Sequence, residues 1–225
     1  MLGLDPGIPS NEKRLAKAMD CRVKPGNDSR GKTVMRVASF GVLSAVLLVT
    51  SLAHAADVKE QAAICAGCHG ENGISQTENI PSLAGQPDQF IQWQLVFFRA
   101  GARKSDQMSP IAAALSNDDI RNLAIYFASL PPPPGTPSDD DPALSEAGAK
   151  IATQSHCTSC HTDNFAGAKA VARIAHQRED YLLKALTDYK TSVRSGGGQA
   201  AMADVAYPLT EDQIKALAHY LAHFN

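Results

Sequence analysis

Ile64-Cys65-Ala66-Gly67-Cys68-His69-Gly70 decides how the chain is read, because it recurs as His156-Cys157-Thr158-Ser159-Cys160-His161-Thr162, 92 positions on. C-x-x-C-H is the spacing of covalent c-type haem attachment. Two thiols add to the haem vinyl groups, and the adjacent imidazole becomes an axial iron ligand. A single copy also suits a redox dithiol. Structural zinc needs four ligands, and pairing two C-x-x-C motifs across the proline-rich segment between them fits less well than two haems.

The likeness extends well beyond the motifs. Leu83–Ile91 lies over Ile174–Leu182 at an offset of 91, and Leu115–Ile120 over Leu209–Ile214 at an offset of 94. The gain of three falls between Arg194 and Met202, around Gly196-Gly197-Gly198, as expected of a loop insertion between duplicated domains. Between the copies stands Pro131-Pro132-Pro133-Pro134, followed by Asp139-Asp140-Asp141-Pro142. Consecutive prolines cannot continue a helix and favour stiff polyproline II, so 131–142 is expected to be a semi-rigid linker. The domains are then 56–130 and 143–225.

Each half predicts three main helices and no strand. The first runs into the haem motif (Asp57–Cys68, Ser145–Cys160) and the second is Gln86–Gly101 or Arg178–Ser192. The third follows a capping-box pattern, Ser116 with Asp119 and Thr210 with Gln213. Apolar residues then recur at helical spacing: Ile120, Leu123, Ala124 and Phe127, against Ile214, Leu217, Ala218 and Leu221. The fold class is all-α.

The ligand opposite His69 and His161 decides the chemistry. A second strong-field ligand favours electron transfer, whereas an open position permits substrate chemistry. Beyond residue 56 the chain has two methionines, Met108 and Met202, each about forty residues past its motif and 94 apart. A lone methionine is usually flexible core filling, but one per haem at matched positions points to ligation. Between Asp57 and Ser155 His69 is the only histidine, so a bis-histidine first haem is excluded within the chain. The second half also offers His156, His176, His219 and His223, with the last two expected to be exposed. Aromatic residues from Phe90 to Tyr220 are read as core and haem packing. Arg99, Arg103, Lys190 and Arg194 suit either haem propionates or solvent.

At the amino end, Met35-Arg36, the apolar run Val37–Leu52 and Ala53-His54-Ala55 form a secretory signal pattern over 35–55. The run is shorter than the roughly 20 residues a spanning helix needs. Residues 1–34 read as mis-assigned upstream sequence or a disordered leader. Cys21 precedes the expected cleavage point, leaving no spare thiol beyond the four in the motifs. Residues 1–56 hold eight Lys/Arg and four Asp/Glu, whereas 57–225 hold 13 and 19. An acidic exported part argues against nucleic acid and for partners with a basic docking patch.

Two tandem class I cytochrome c domains, each with C-x-x-C-H and a later methionine, resemble the dihaem cytochrome c4 family over residues 57–225. Ile80-Pro81-Ser82-Leu83-Ala84-Gly85-Gln86 is also similar to that family's segment after the motif. The resemblance implies that the Pro81 carbonyl accepts a hydrogen bond from His69. In the second half Ala172 stands for Pro81 and Thr162 for Gly70, from which a different setting of His161 is expected. The resemblance further implies a periplasmic carrier with two covalently bound haem c groups. It would pass single electrons between a quinol–cytochrome c reductase and a terminal oxidase or reductase, or serve a periplasmic dehydrogenase. A haem enzyme, such as a dihaem peroxidase or a thiosulfate-oxidising protein, is the alternative.

Overall fold

The computed structural model describes residues 58–135 and 138–225. The expected leader, the signal segment and Cys21 lie outside the described residues. In the first half α1 occupies residues 58–69, followed by α2 (Asp88–Arg99), α3 (Met108–Ala113) and α4 (Asn117–Ser129). The second half has α5 (Pro142–Gln154), α6 (Thr158–His161), α7 (Glu179–Lys190), a 3-10 turn at Gly197–Gln199, α8 (Ala200–Ala206) and α9 (Glu211–Ala222). No strand occurs among the described residues; a single isolated bridge joins Ala168 and Val171.

Both expected capping boxes form. Ser116 accepts from the Asp119 N–H while the Asp119 carboxylate accepts from the Ser116 N–H, and Thr210 and Gln213 repeat the exchange. They satisfy amide groups that a helix start otherwise leaves without partners. The apolar stripes that follow are buried as the spacing requires: Ile120, Leu123, Ala124 and Phe127 in α4, and Ile214, Leu217, Ala218 and Leu221 in α9. In the first half α4 packs on Ala62 of α1 and Ile91 of α2. In the second, α9 packs against α5 and α7. The α5–α9 crossing is close, because a Cβ on Gly148 would lie 2.2 Å from the Ala216 carbonyl oxygen.

Two expectations about the first helix of the second half need correction. It starts early, at Pro142, with the Asp141 carboxylate accepting from the Leu144 N–H. Proline suits this first position because its missing N–H would be unpaired there anyway. It also does not run through to Cys160. His156 takes φ 53°, so α5 ends and α6 restarts across the motif, whereas α1 runs unbroken to His69.

The linker touches both halves. A Cβ on Gly85 would meet Pro132 at 2.7 Å, and the Pro133 carbonyl lies 3.2 Å from Nδ1 of His176.

The two halves share one backbone path written in different residues. Gly70, Gly73, Gly85 and Gly101 of the first half all have positive φ, between 67° and 83°. Their counterparts Thr162, Phe165, His176 and Ser192 keep positive φ, from 52° to 69°, although none is glycine. Left-handed backbone crowds a Cβ, so each such residue is strained where glycine is not. Phe165 has a compensating role. It is buried edge-to-face against Tyr220 and Phe224, in a core that includes Leu221. In the first half Gly73 leaves that space to Phe127, whose ring would lie 3.1 Å from an added Cβ.

Candidate haem sites and the contact between the halves

His69 closes α1 and His161 closes α6, each buried to 7% exposure. The His69 Nδ1–H donates to the Pro81 carbonyl at 2.7 Å, and the His161 Nδ1–H to the Ala172 carbonyl at 2.8 Å. The expected difference in the setting of His161 is therefore not found. The acceptor is main chain, so exchanging proline for alanine leaves it in place. Thr162 likewise supplies the left-handed turn that Gly70 supplies. With Nδ1 committed, Nε2 of both rings keeps its lone pair for a metal. Burial pushes both imidazoles below their ordinary pKa, outweighing the carbonyl bonds, and favours the neutral ligating form.

All four motif thiols are unpaired, Cys65 and Cys157 half-buried, Cys68 and Cys160 exposed. Burial raises the pKa of Cys65 and of Cys157. Two thiols three residues apart beside an imidazole with a free Nε2 are a donor set that fits covalent haem. Met108 opens α3, with its N–H on the Ser105 hydroxyl, and Met202 lies in the first turn of α8. Both are half-buried. α3 packs on α2, and α8 on α7.

Three of the four histidines that rival Met202 are engaged elsewhere. His176 has one ring nitrogen on the Pro133 carbonyl and the other on that of Phe224. His219 is not exposed as expected but 3% accessible, held between Glu179 and Asp139. His223 is half-buried beside it, and His156 is exposed. Trp93, read as packing, is 50% exposed and stacks on Phe97.

The basic residues left open between propionates and solvent prove to be anchors. Arg99 donates to the Leu115 carbonyl and its counterpart Lys190 to that of Leu209, tying the end of each second helix to the start of the last. Arg103 lies over the Phe98 ring and Arg194 over the Tyr189 ring, each 4.5 Å from the centroid. Both also reach across the halves: Arg103 to the Tyr181 hydroxyl and Arg194 to the Gln94 side chain. Burial would raise the pKa of the Tyr181 phenol, but the two guanidinium groups outweigh it and bring it down to about 8.

The centre of this contact is reciprocal. Gln86 accepts from the Arg173 N–H and donates to the Arg173 carbonyl. Gln177, its counterpart, accepts from the Ser82 N–H and donates to the Ser82 carbonyl. Ser82 and Arg173 directly follow the carbonyls that hold the two histidines. The signal was present in the sequence, since Gln86 falls over Gln177 in the repeat. A matched glutamine in a loop does not by itself say that it reaches the other copy.

These features define an all-α chain of two tandem class I cytochrome c domains joined by a proline-rich linker. The cytochrome c family model matches residues 145–225. Cytochrome c4 of Azotobacter vinelandii is 33% identical over 196 residues, spanning 77% of this chain and 92% of that protein. The structure of reduced recombinant cytochrome c4 from Pseudomonas stutzeri superposes with a TM-score of 0.67 at 30% identity, over 75% of this chain and 97% of that one. A thiosulfate dehydrogenase electron acceptor of Stutzerimonas stutzeri is 29% identical, over 80% of this chain and 91% of its own length. The chain belongs to the cytochrome c4 family: a dihaem c-type cytochrome of electron transport, related to carriers rather than enzymes.

Proposed function

We propose that the chain is a periplasmic single-electron carrier, exported by a cleaved signal at 35–55, with haem domains at 56–130 and 143–225 on either side of the linker at 131–142. Cys65 and Cys68 hold one haem by thioether bonds and Cys157 and Cys160 the other. His69 and His161 would ligate the iron through Nε2, and Met108 and Met202 would be the second protein ligands. The bound iron supplies one-electron exchange between ferric and ferrous states. The chain's residues orient the two imidazoles through the Pro81 and Ala172 carbonyls and hold the halves together through Gln86 and Gln177; methionine on each iron would leave no open position for substrate.

The carrying observation is the matched pair of histidine–carbonyl bonds, at 2.7 and 2.8 Å, each leaving Nε2 as the free donor beside two unpaired thiols. The partners are redox proteins: a quinol–cytochrome c reductase with a terminal oxidase, or a periplasmic dehydrogenase. The likeness to a thiosulfate dehydrogenase electron acceptor supports the latter. Among the described residues no helix is long and apolar enough to cross a membrane.

The test is to express the chain with haem-maturation machinery and record covalent haem content and ferric spectra. Two low-spin haems per chain with the weak near-infrared methionine–iron band are expected; high-spin iron with peroxide turnover would overturn the reading. Met202→Ala should lower one potential and leave the other nearly unchanged in a redox titration. If both potentials stay as they were, Met202 is not the ligand.

A further inference from the structure

Away from the haem motifs, three side chains converge where the linker meets the last helix. Asp139, His219 and His223 each offer a ligand atom, and these atoms all lie within 4.8 Å of one another. His219 lies in the last turn of α9 and His223 caps its C-terminus four residues on, and their ring centroids are 4.2 Å apart.

Both tautomers are set from behind. Nδ1 of His219 faces the Glu179 carboxylate at 3.1 Å, and Nδ1 of His223 faces the His219 carbonyl at 2.9 Å. Both acceptors need the proton on Nδ1, which turns two Nε2 lone pairs towards the linker. Nε2 of His219 meets Asp139 Oδ1 at 2.9 Å and Asp140 Oδ1 at 3.9 Å, and Nε2 of His223 meets Asp140 Oδ1 at 3.9 Å. Lone pairs and carboxylate oxygens repel unless a positive charge lies between them.

One proton on His219 could bridge to Asp139. It would do nothing for His223, whose Nε2 is too far from Asp140 for a hydrogen bond. Three carboxylates, Asp139, Asp140 and Glu179, gather here, and among the described residues no Lys or Arg forms an ion pair with any of them. Nitrogen and oxygen donors spaced at about 3–4 Å are what a cation bound at about 2.0–2.2 Å requires. A carboxylate behind a ligating imidazole is the usual outer support of such a site.

We propose that Asp139, His219 and His223, with Asp140 as the nearest further oxygen, bind a divalent cation of the zinc class, supported by Glu179 behind His219. Two imidazoles with carboxylate oxygen suit zinc better than calcium or magnesium, which prefer oxygen alone. The ion fastens the acidic end of the linker to α9 and to the start of α7. It is separate from the iron sites, and its ligands are none of the haem residues.

The test uses the dihaem protein, freed of adventitious metal with a chelator, and titrates zinc chloride by calorimetry at pH 7.5. One saturable zinc per chain is expected. His223→Ala and Asp139→Asn should each weaken it by about 100-fold, and Glu179→Gln by about 10-fold, in line with losses at supporting positions. His223 and Asp139 are chosen because His219 is buried and its loss risks unfolding. His156→Asn, at the exposed histidine, should leave the affinity unchanged. No saturable zinc, or equal affinity in His223→Ala and the parent, would overturn the proposal and leave a protonated His219–Asp139 pair. A loss confined to His156→Asn would place the zinc at the surface and overturn it equally.

Discussion

At the scale of single residues, the second half does with side chains what the first does with glycine. Ser192 is an exposed residue at φ 61° where the first half has Gly101 at 70°. Its side chain donates no hydrogen bond that would offset the strain among the described residues. Ser192→Gly should therefore stabilise the protein by about 0.5–1 kcal/mol, the left-handed penalty less the extra chain entropy of glycine. Urea unfolding of the dihaem form checks it, and a loss of stability would show that the turn is not strained. The residue scale is also where the sequence was most readable and most misleading. The two C-x-x-C-H motifs and the matched placement of Met108 and Met202 could be read from spacing. The proline-to-alanine exchange pointed to a difference the fold does not have, because a carbonyl is indifferent to its own side chain. His219 departs from the expected exposure because helical periodicity sets it off the Ile214, Leu217, Ala218 and Leu221 stripe without showing that carboxylates from two other segments enclose it.

At the scale of elements, the helices were legible where apolar spacing coincided with a cap, as in α4 and α9. They were less so where backbone geometry intervened. Nothing in the composition of Ser155-His156 announces the left-handed residue that divides α5 from α6. The short helices carrying Met108 and Met202 are too brief for a periodic signal. The tight element contact is α5 on α9, where Gly148 meets the Ala216 carbonyl and the Tyr220 Cβ, the latter at 2.5 Å from an added methyl. Two helix backbones cannot separate there without opening the buried Ala152, Leu217 and Leu221 contacts. Gly148→Ala, which on an isolated helix would be favourable by about 1 kcal/mol, should instead destabilise by about 2–3 kcal/mol, as overpacking does. The sign alone decides the matter in a thermal melt.

At the scale of the whole molecule, the halves are held by polar groups that only the folded pair brings together. Gln177 is 5% exposed and Ser82 3%, so Gln177→Ala strands a buried N–H and carbonyl. It should cost about 2–3 kcal/mol and, by freeing the segment after Pro81, shift the potential of the first haem although the substitution is in the second half. A potential change confined to the second haem would refute that coupling. The contact should also respond to alkali. The phenol of Tyr181 has its folded pKa at about 8, below the usual value near 10. A lowered acid contributes stability that is fully present above the unfolded value and is lost as pH falls through the folded one. The melting temperature should therefore rise between about pH 8 and pH 10 relative to Tyr181→Phe, and parallel curves for the two proteins would exclude the phenolate pairing. Duplication and linker were legible at this scale; which residues meet across the halves was not, since a repeat specifies likeness and not docking.

The paired glutamines have a further consequence. Gln86 grips Arg173 as Gln177 grips Ser82, so that residue and counterpart exchange places as in an isologous twofold dimer, and Arg103 and Arg194 also reach into the opposite half. The chain is in this sense a homodimer written twice on one strand. Its linker replaces a second-order encounter by an internal one, at an effective concentration on the order of millimolar for short connections. Neither copy must then find the other by diffusion, and the contact can consist of a few directional hydrogen bonds instead of the broad apolar area that a freely dissociating pair would need.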